Sequence, residues 1–191
     1  MTHILYLAAG ASRRFGADKL LTNYQGRPLF AHGLTTAATV CQTRSDAAVT
    51  VVTNTPAIAE MARAWGAAVV PSPQSDQGQS YSIRAGLDAV GPLAVEDFLL
   101  FLVADQPRLR TETLTRFLDL AKPGVWAATA ACGDRVGNPG LFCAALAPAL
   151  YRLEGDRGGR KVLNTAPEKV LRVPCLPEEL QDIDRPADLK N

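Results

Sequence analysis

The sequence predicts an α/β domain in which a mostly parallel sheet is covered by helices on both faces. Two observations carry this. From His3 to Ala121, short apolar runs of strand length alternate with segments whose apolar residues recur at helical spacing, the pattern of a parallel sheet joined by right-handed helical crossovers. After Trp126 the pattern changes: two strand-like runs flank Cys132-Gly133-Asp134-Arg135, so an antiparallel excursion is expected and the sheet should be mixed.

The elements follow in order. His3 to Ala8 is an apolar run ending in Ala9-Gly10, which suits a buried strand feeding directly into a loop. Pro28 stands where a helix starts, and Leu29, Phe30, Leu34, Ala37 and Ala38 recur at helical spacing as far as Val40. Ala48 to Thr53 reads as a strand, Pro56 to Trp65 as a helix ended by Gly66, and Ala67 to Val70 as a short strand. A helix is expected from Ser80 or Tyr81 to Val90, a strand from Phe98 to Val103, and an amphipathic helix from Thr111 to Ala121, stopped by Lys122-Pro123-Gly124. Trp126 to Ala131 and Val136 to Phe142 form the expected hairpin. Ala144 to Leu153 reads as helix, Gly155 to Gly159 as a loop, Lys169 to Val173 as the last strand, and Pro186 to Asn191 as a short closing helix.

The 191 residues, 47% of them hydrophobic, are enough to bury one substantial core, and with no repeat or long linker a single domain over residues 1–191 is expected. Lysine and arginine total 20 against 19 acidic residues, so no overall field favours nucleic acid or an anionic membrane, and phosphate recognition has to be local. The start, Met1-Thr2-His3-Ile4-Leu5, has no signal-peptide pattern and no apolar stretch is long enough to span a bilayer; a cytoplasmic protein is expected. Cys41, Cys132, Cys143 and Cys175 are scattered and read as reduced thiols. His3 and His32 read as structural or surface residues.

The densest functional text is Leu7-Ala8-Ala9-Gly10-Ala11-Ser12-Arg13-Arg14-Phe15-Gly16-Ala17-Asp18-Lys19 after the first strand, at the strand end where open α/β sheets bind ligands. Small residues let backbone N–H groups approach a phosphate, Ser12 adds a hydroxyl, and Arg13 and Lys19 add positive charge. The loop matches neither the P-loop nor G-x-G-x-x-G, so by itself it is either a triphosphate cradle or a strand-to-helix turn with surface cations. Asp105 follows an apolar strand, placed either to hold a hard cation or to cap a turn before Gln106-Pro107. Asp182 and Asp184 lie on one face of an extended segment; one of them completes a metal site with Asp105, or both cap the turn before Pro186. Gly78 and Ser82 open a helix with exposed amides and a hydroxyl suited to a base or ribose, or simply cap it. The loops Gly137-Asn138-Pro139-Gly140 and Gly155-Asp156-Arg157-Gly158-Gly159-Arg160 are an acceptor wall or ordinary turns.

In this order, the loop at 7–19, Asp105-Gln106-Pro107, the two glycine-containing loops, and Asp182-Ile183-Asp184-Arg185-Pro186-Ala187-Asp188-Leu189 resemble the nucleotidyltransferases that act on the molybdenum cofactor. The resemblance implies a three-layer, Rossmann-like nucleotide-binding fold and transfer of a nucleoside monophosphate onto an acceptor phosphate, with release of pyrophosphate. It implies that Leu7, Ala8, Ala9, Gly10, Ala11, Ser12, Arg13, Gly16, Lys19, Gly78 and Ser82 bind the nucleotide, and that Arg13, Lys19 and Asp105 are catalytic. Asp105 and Asp184 would hold Mg2+, and Asn138, Asp156 and Arg157 would face the acceptor. Ala8-Ala9-Gly10 is similar to the cytidine-using members, where guanosine-using members have Ala-Gly-Gly. CTP and molybdopterin, or the molybdenum cofactor itself, are therefore the expected partners, with a transient complex with a molybdenum hydroxylase. Asn138 stands where cytidine-using members often have histidine, and Gln106 where methionine is more usual. The alternatives are a cytidylyltransferase for a sugar or alcohol phosphate, an NAD(P)H-dependent oxidoreductase on the same fold, and a non-catalytic cofactor carrier.

Overall fold

The computed structural model describes residues 1–10 and 18–190. β1 (Thr2–Leu7) runs up the middle of the molecule. A small antiparallel pair, β2 (Asn23–Tyr24) and β3 (Arg27–Pro28), leads into α1 (Leu29–Gln42). Then come β4 (Ala47–Val52), α2 (Pro56–Ala64), β5 (Ala68–Val70), α3 (Gln79–Val90), β6 (Phe98–Val103) and α4 (Thr111–Leu120). The hairpin is β7 (Ala127–Cys132) and β8 (Arg135–Cys143), followed by α5 (Ala147–Tyr151), α6 (Arg160–Leu163) and β9 (Val170–Pro174).

The seven-stranded sheet has the order β5-β4-β1-β6-β8-β7-β9. Only β8 runs against its neighbours, so the sheet is mixed and mostly parallel, as the hairpin around Cys132 to Arg135 requires. The period of two on each strand divides the core between the faces. Ile4 and Tyr6 of β1 and Leu100 and Leu102 of β6 pack under Leu29, Phe30 and Leu34 of α1 and Phe117 of α4. Leu5, Leu7, Leu99 and Phe101 pack on the other face with Ile83 and Leu87 of α3 and Val162 of α6. Each such side chain, taken out of water, contributes about 1.5–3 kcal/mol. This double-sided burial is why the strands read as unbroken apolar runs.

Some expectations are corrected in detail. Ala144 to Leu153 is a 3-10 turn, Ala144–Leu146, followed by the short α5, with Pro148 in its first turn. The closing helix is a 3-10 turn, Pro186–Lys190. All four cysteines are free thiols. Among the described residues no helix is long and apolar enough to cross a membrane.

Candidate functional site

Two strand ends set the site. β1 and β6 are adjacent and in parallel register, with Leu7 beside Val103. The ladder runs one step further on each side of β1: Ala8 N–H donates to the Val52 carbonyl at 2.8 Å, and Ala104 N–H to the Leu7 carbonyl at 3.1 Å. Ala8 is buried, Ala9 packs against the α3 face of the core, and Gly10 is exposed. The expected phosphate-side residues Ala11, Ser12, Arg13 and Gly16 lie outside the described residues.

The chain returns at Asp18, whose carboxylate caps the 3-10 turn Lys19–Leu21 by accepting from Leu20 N–H at 3.2 Å and also accepts from the Thr55 hydroxyl at 3.1 Å. That turn aims Lys19 back across the strand ends. Its Nζ lies 3.0 Å from Asp105 Oδ2 and 3.3 Å from Asp184 Oδ1. Burial by itself would lower the Lys19 pKa, but the charges and hydrogen bonds of Asp105 and Asp184 outweigh it and leave the ammonium held above its ordinary value.

A strap of chain brings Asp184 here from the far end of the sequence. Ile183, fully buried, donates its N–H to the Asp105 carbonyl at 2.9 Å. Gln106 Nε2 donates to Asp182 Oδ1 at 2.8 Å, and Arg108 donates from Nη1 to Gln181 Oε1 at 2.5 Å and from Nε to the Tyr24 hydroxyl at 2.8 Å. Glu179, 2% exposed, accepts from the backbone N–H groups of Leu176 at 2.8 Å and Arg110 at 3.0 Å. Asp188 accepts from the N–H groups of Asp184 and Arg185. The 105–110 loop and the 176–188 strap are thus fastened along their length. The two aspartates expected on one face serve different partners, Asp184 meeting Lys19 and Asp182 meeting Gln106. Burial, and then the nearby Asp105 charge, raise the Asp182 pKa, with the Gln106 hydrogen bond opposing them.

Arg108 and Glu179 were not among the expected site residues. Leu176-Pro177-Glu178-Glu179 has the proline and the later glutamate of a helical-turn start, and that pattern was the available signal for Glu179. Nothing in the sequence marks Arg108.

Beside this cluster opens a cleft of about 380 Å³, bordered by Leu7, Gln106 and Asp182. Asn138 lines it because β8 carries a bulge: Gly137 and Gly140 pair with the consecutive residues Ala130 and Thr129, leaving Asn138 and Pro139 outside the ladder. The Thr129 hydroxyl donates to the Gly137 carbonyl at 2.8 Å and fixes the bulge. The 155–159 loop contributes through its end, where Gly159 and the following Arg160 line the cleft, while Asp156 and Arg157 are exposed and do not line it. Gly78 makes the loop's docking possible. Its φ is 130°, and a Cβ there would lie 2.2 Å from the Gly155 carbonyl carbon. Ser80 N–H donates to the Gly155 carbonyl at 3.1 Å, tying the loop to the start of α3. Ser82 is buried, its hydroxyl 3.4 Å from that of Ser72. Gly78 and Ser82 therefore shape the start of α3 from within the protein.

The model of the MobA-like NTP transferase domain matches residues 4–170. The chain is 31% identical over 189 residues to a "probable molybdenum cofactor guanylyltransferase" of Deinococcus radiodurans, covering 95% of this chain and 89% of that one. It is 28% identical over 198 residues to purine catabolism protein PucB of Bacillus subtilis, covering 96% and 92%. Among solved structures, Rv0371c of Mycobacterium tuberculosis in complex with manganese shares 25% identity, with a TM-score of 0.70 over 99% of this chain and 96% of that one.

Proposed function

The chain belongs to the MobA-like NTP transferase domain family and is a nucleotidyltransferase, and from that premise we propose that it moves CMP from CTP onto the phosphate of molybdopterin. The observation that carries this reading is the convergence of Lys19 with Asp105 and Asp184 at the ends of β1 and β6, next to a cleft large enough for an acceptor.

Two carboxylates aimed at one cationic point suit a hard divalent ion. Among the described residues no group of three or more His, Cys, Asp or Glu side chains offers a fuller cage. Mg2+ is usually held by only one or two carboxylates with phosphates and water; Asp105 and Asp184 would hold it, and it would offset charge on the nucleotide phosphates. The manganese complex of the mycobacterial relative supports a divalent ion in this fold.

The chain's own residues account for the rest. Ala8, Ala9 and Gly10 present small side chains where the loop leaves β1, allowing backbone N–H groups to meet phosphate oxygens, and Arg13 and Lys19 add charge to the same group. An oxygen of the acceptor phosphate attacks the α-phosphorus of CTP; the new P–O bond forms as the bond to the β-phosphate bridging oxygen breaks, and pyrophosphate leaves. The nucleophile is already an anion, so positioning and charge neutralisation suffice and no general base is needed. CTP is favoured over GTP by the resemblance of Ala8-Ala9-Gly10 to the cytidine-using members, where guanosine-using members have Ala-Gly-Gly. The proposal has the reaction run in the cytoplasm and the product pass to a molybdenum hydroxylase in a transient complex.

The test is pyrophosphate release with Mg2+ and purified molybdopterin, using CTP, GTP, ATP and UTP in turn. Release with CTP that disappears in Asp105→Asn is expected. Preference for GTP would overturn the choice of base, and release with none of the four would overturn molybdopterin as acceptor.

A further inference from the structure

The cleft crosses the sheet. Its floor takes Phe101 from β6, Phe142 from β8, Thr129 from β7, and Val170 and Arg172 from β9. In the observed strand order β6 and β9 are three strand spacings apart, which is about 14 Å. One end lies beside Asp105 and its neighbour Gln106, where the acceptor phosphate has to react. The other ends at Arg172, on an edge strand and in register with Thr129. Between them the lining is mixed, with Thr129, Asn138 and Asn164 beside Leu163 and Val170, and with Phe101 and Phe142 almost fully buried beneath. Phe101 and Phe142 meet edge to face at 5.7 Å, with Leu163 of α6 also lining the cleft.

Arg172 is held at one nitrogen: its Nη2 donates to the Gly133 carbonyl in the β7–β8 turn. Among the described residues its Nε and Nη1 have no hydrogen-bond partner. Asn164 also lines the cleft, from the end of α6. A tethered guanidinium at the far end of the cleft is chemically specific. It offers parallel N–H donors in one plane, which match the two lone pairs of a ring carbonyl, or a ring carbonyl and a neighbouring ring nitrogen that carries no hydrogen. A short alcohol phosphate held beside β6 would not reach Arg172, about 14 Å away across three strand spacings.

We propose that Arg172 determines acceptor specificity by reading the carbonyl-bearing edge of a flat nitrogen heterocycle, which lies along the cleft with its phosphate arm toward β6. This rests on the reading of the cleft as the acceptor site for molybdopterin, whose pterin ring has such an edge.

The probe is 6-hydroxymethylpterin monophosphate, whose binding to the full chain is followed by quenching of pterin fluorescence. Wild type should bind it saturably. Arg172→Leu should bind about tenfold more weakly, the loss expected for a charge-assisted hydrogen-bond pair. Arg172→Lys should stay close to the leucine variant, because a single ammonium does not reproduce the planar fork. Thermal midpoints matching wild type show that both variants are folded, as expected at an exposed edge position. Absence of wild-type binding, unchanged affinity in Arg172→Leu, or full rescue by lysine would each overturn the proposal. Turnover separates the two readings. If wild type binds the pterin but releases no pyrophosphate from CTP and molybdopterin, CMP transfer from CTP to molybdopterin fails and the pterin-binding role of Arg172 stands. If turnover occurs and Arg172→Leu keeps the KM for molybdopterin, only the role of Arg172 fails.

Discussion

Replacing Gly78 by alanine tests how the start of α3 is joined to the 155–159 loop. Gly78 has φ 130° and ψ 168°, a region open essentially to glycine alone, and a side chain there costs about 1–3 kcal/mol. The added Cβ would stand 2.2 Å from the carbonyl carbon of Gly155, 2.4 Å from its oxygen and 2.6 Å from Asp156 N. All three are backbone atoms, so no rotamer change relieves the clash, and overpacking adds about 1–3 kcal/mol. The expected total is about 4 kcal/mol, which for a chain of this size lowers the thermal midpoint by about 8–16 °C. Gly66 is the control. It also has a positive φ, 80°, but nothing lies within 4 Å of its Cβ position, so Gly66→Ala bears only the backbone cost of about 1 kcal/mol. Thermal melts of the three proteins in one buffer decide the matter. If Gly78→Ala and Gly66→Ala melt together, the tight docking of the 155–159 loop on α3 is wrong.

Lys19→Met keeps the aliphatic stem but removes the cation shared by Asp105 and Asp184; the loss of about 3 kcal/mol of transition-state stabilisation should lower kcat/KM for pyrophosphate release about a hundredfold, and a wild-type rate would refute the assignment. Glu179→Gln places an amide N–H against one of the two backbone donors that the carboxylate now serves; it should cost about 1–3 kcal/mol in urea unfolding, and an unchanged midpoint would show that the strap does not depend on this anchor. His32 is pushed to a lower pKa mainly by burial, which the Tyr24 carbonyl opposes and the Arg27 charge reinforces. Neutral His32 accepts from Arg27 Nε at 3.2 Å through Nδ1 and pairs Nε2 with the Tyr24 carbonyl at 2.8 Å. Protonation at Nδ1 removes the acceptor. Its stabilising contribution is therefore complete above the unfolded value of about 6.5 and is lost as pH falls through the lower folded value; melts between pH 7.5 and 5 should fall more steeply for wild type than for His32→Gln, and parallel curves would refute this.

Strand β6 was legible to the residue, because a run buried on both faces has no polar position to blur its ends. α1 was legible from Pro28 and its apolar spacing. β2 and β3 were not, since two-residue strands carry no period to read, and α6 is a single helical turn hidden behind Gly158-Gly159. In the site, Lys19, Asp105 and Asp184 were each legible as residue types suited to phosphate and metal chemistry. Their meeting was not, because it depends on the Ile183 N–H reaching the Asp105 carbonyl across the fold. Asn138 was named from its loop, but its exposure to the cleft follows from an uneven register between β7 and β8 that only the paired strands reveal.

The strap has a consequence for the order in which the protein is made. The last strand ends at Pro174, whereas the carboxylate facing Lys19 is 165 positions downstream of it, at Asp184. A nascent chain that has just passed Pro174 contains every strand of the sheet and still lacks half of the acidic pair. Building the scaffold and arming it are separate events during synthesis, and the second comes late.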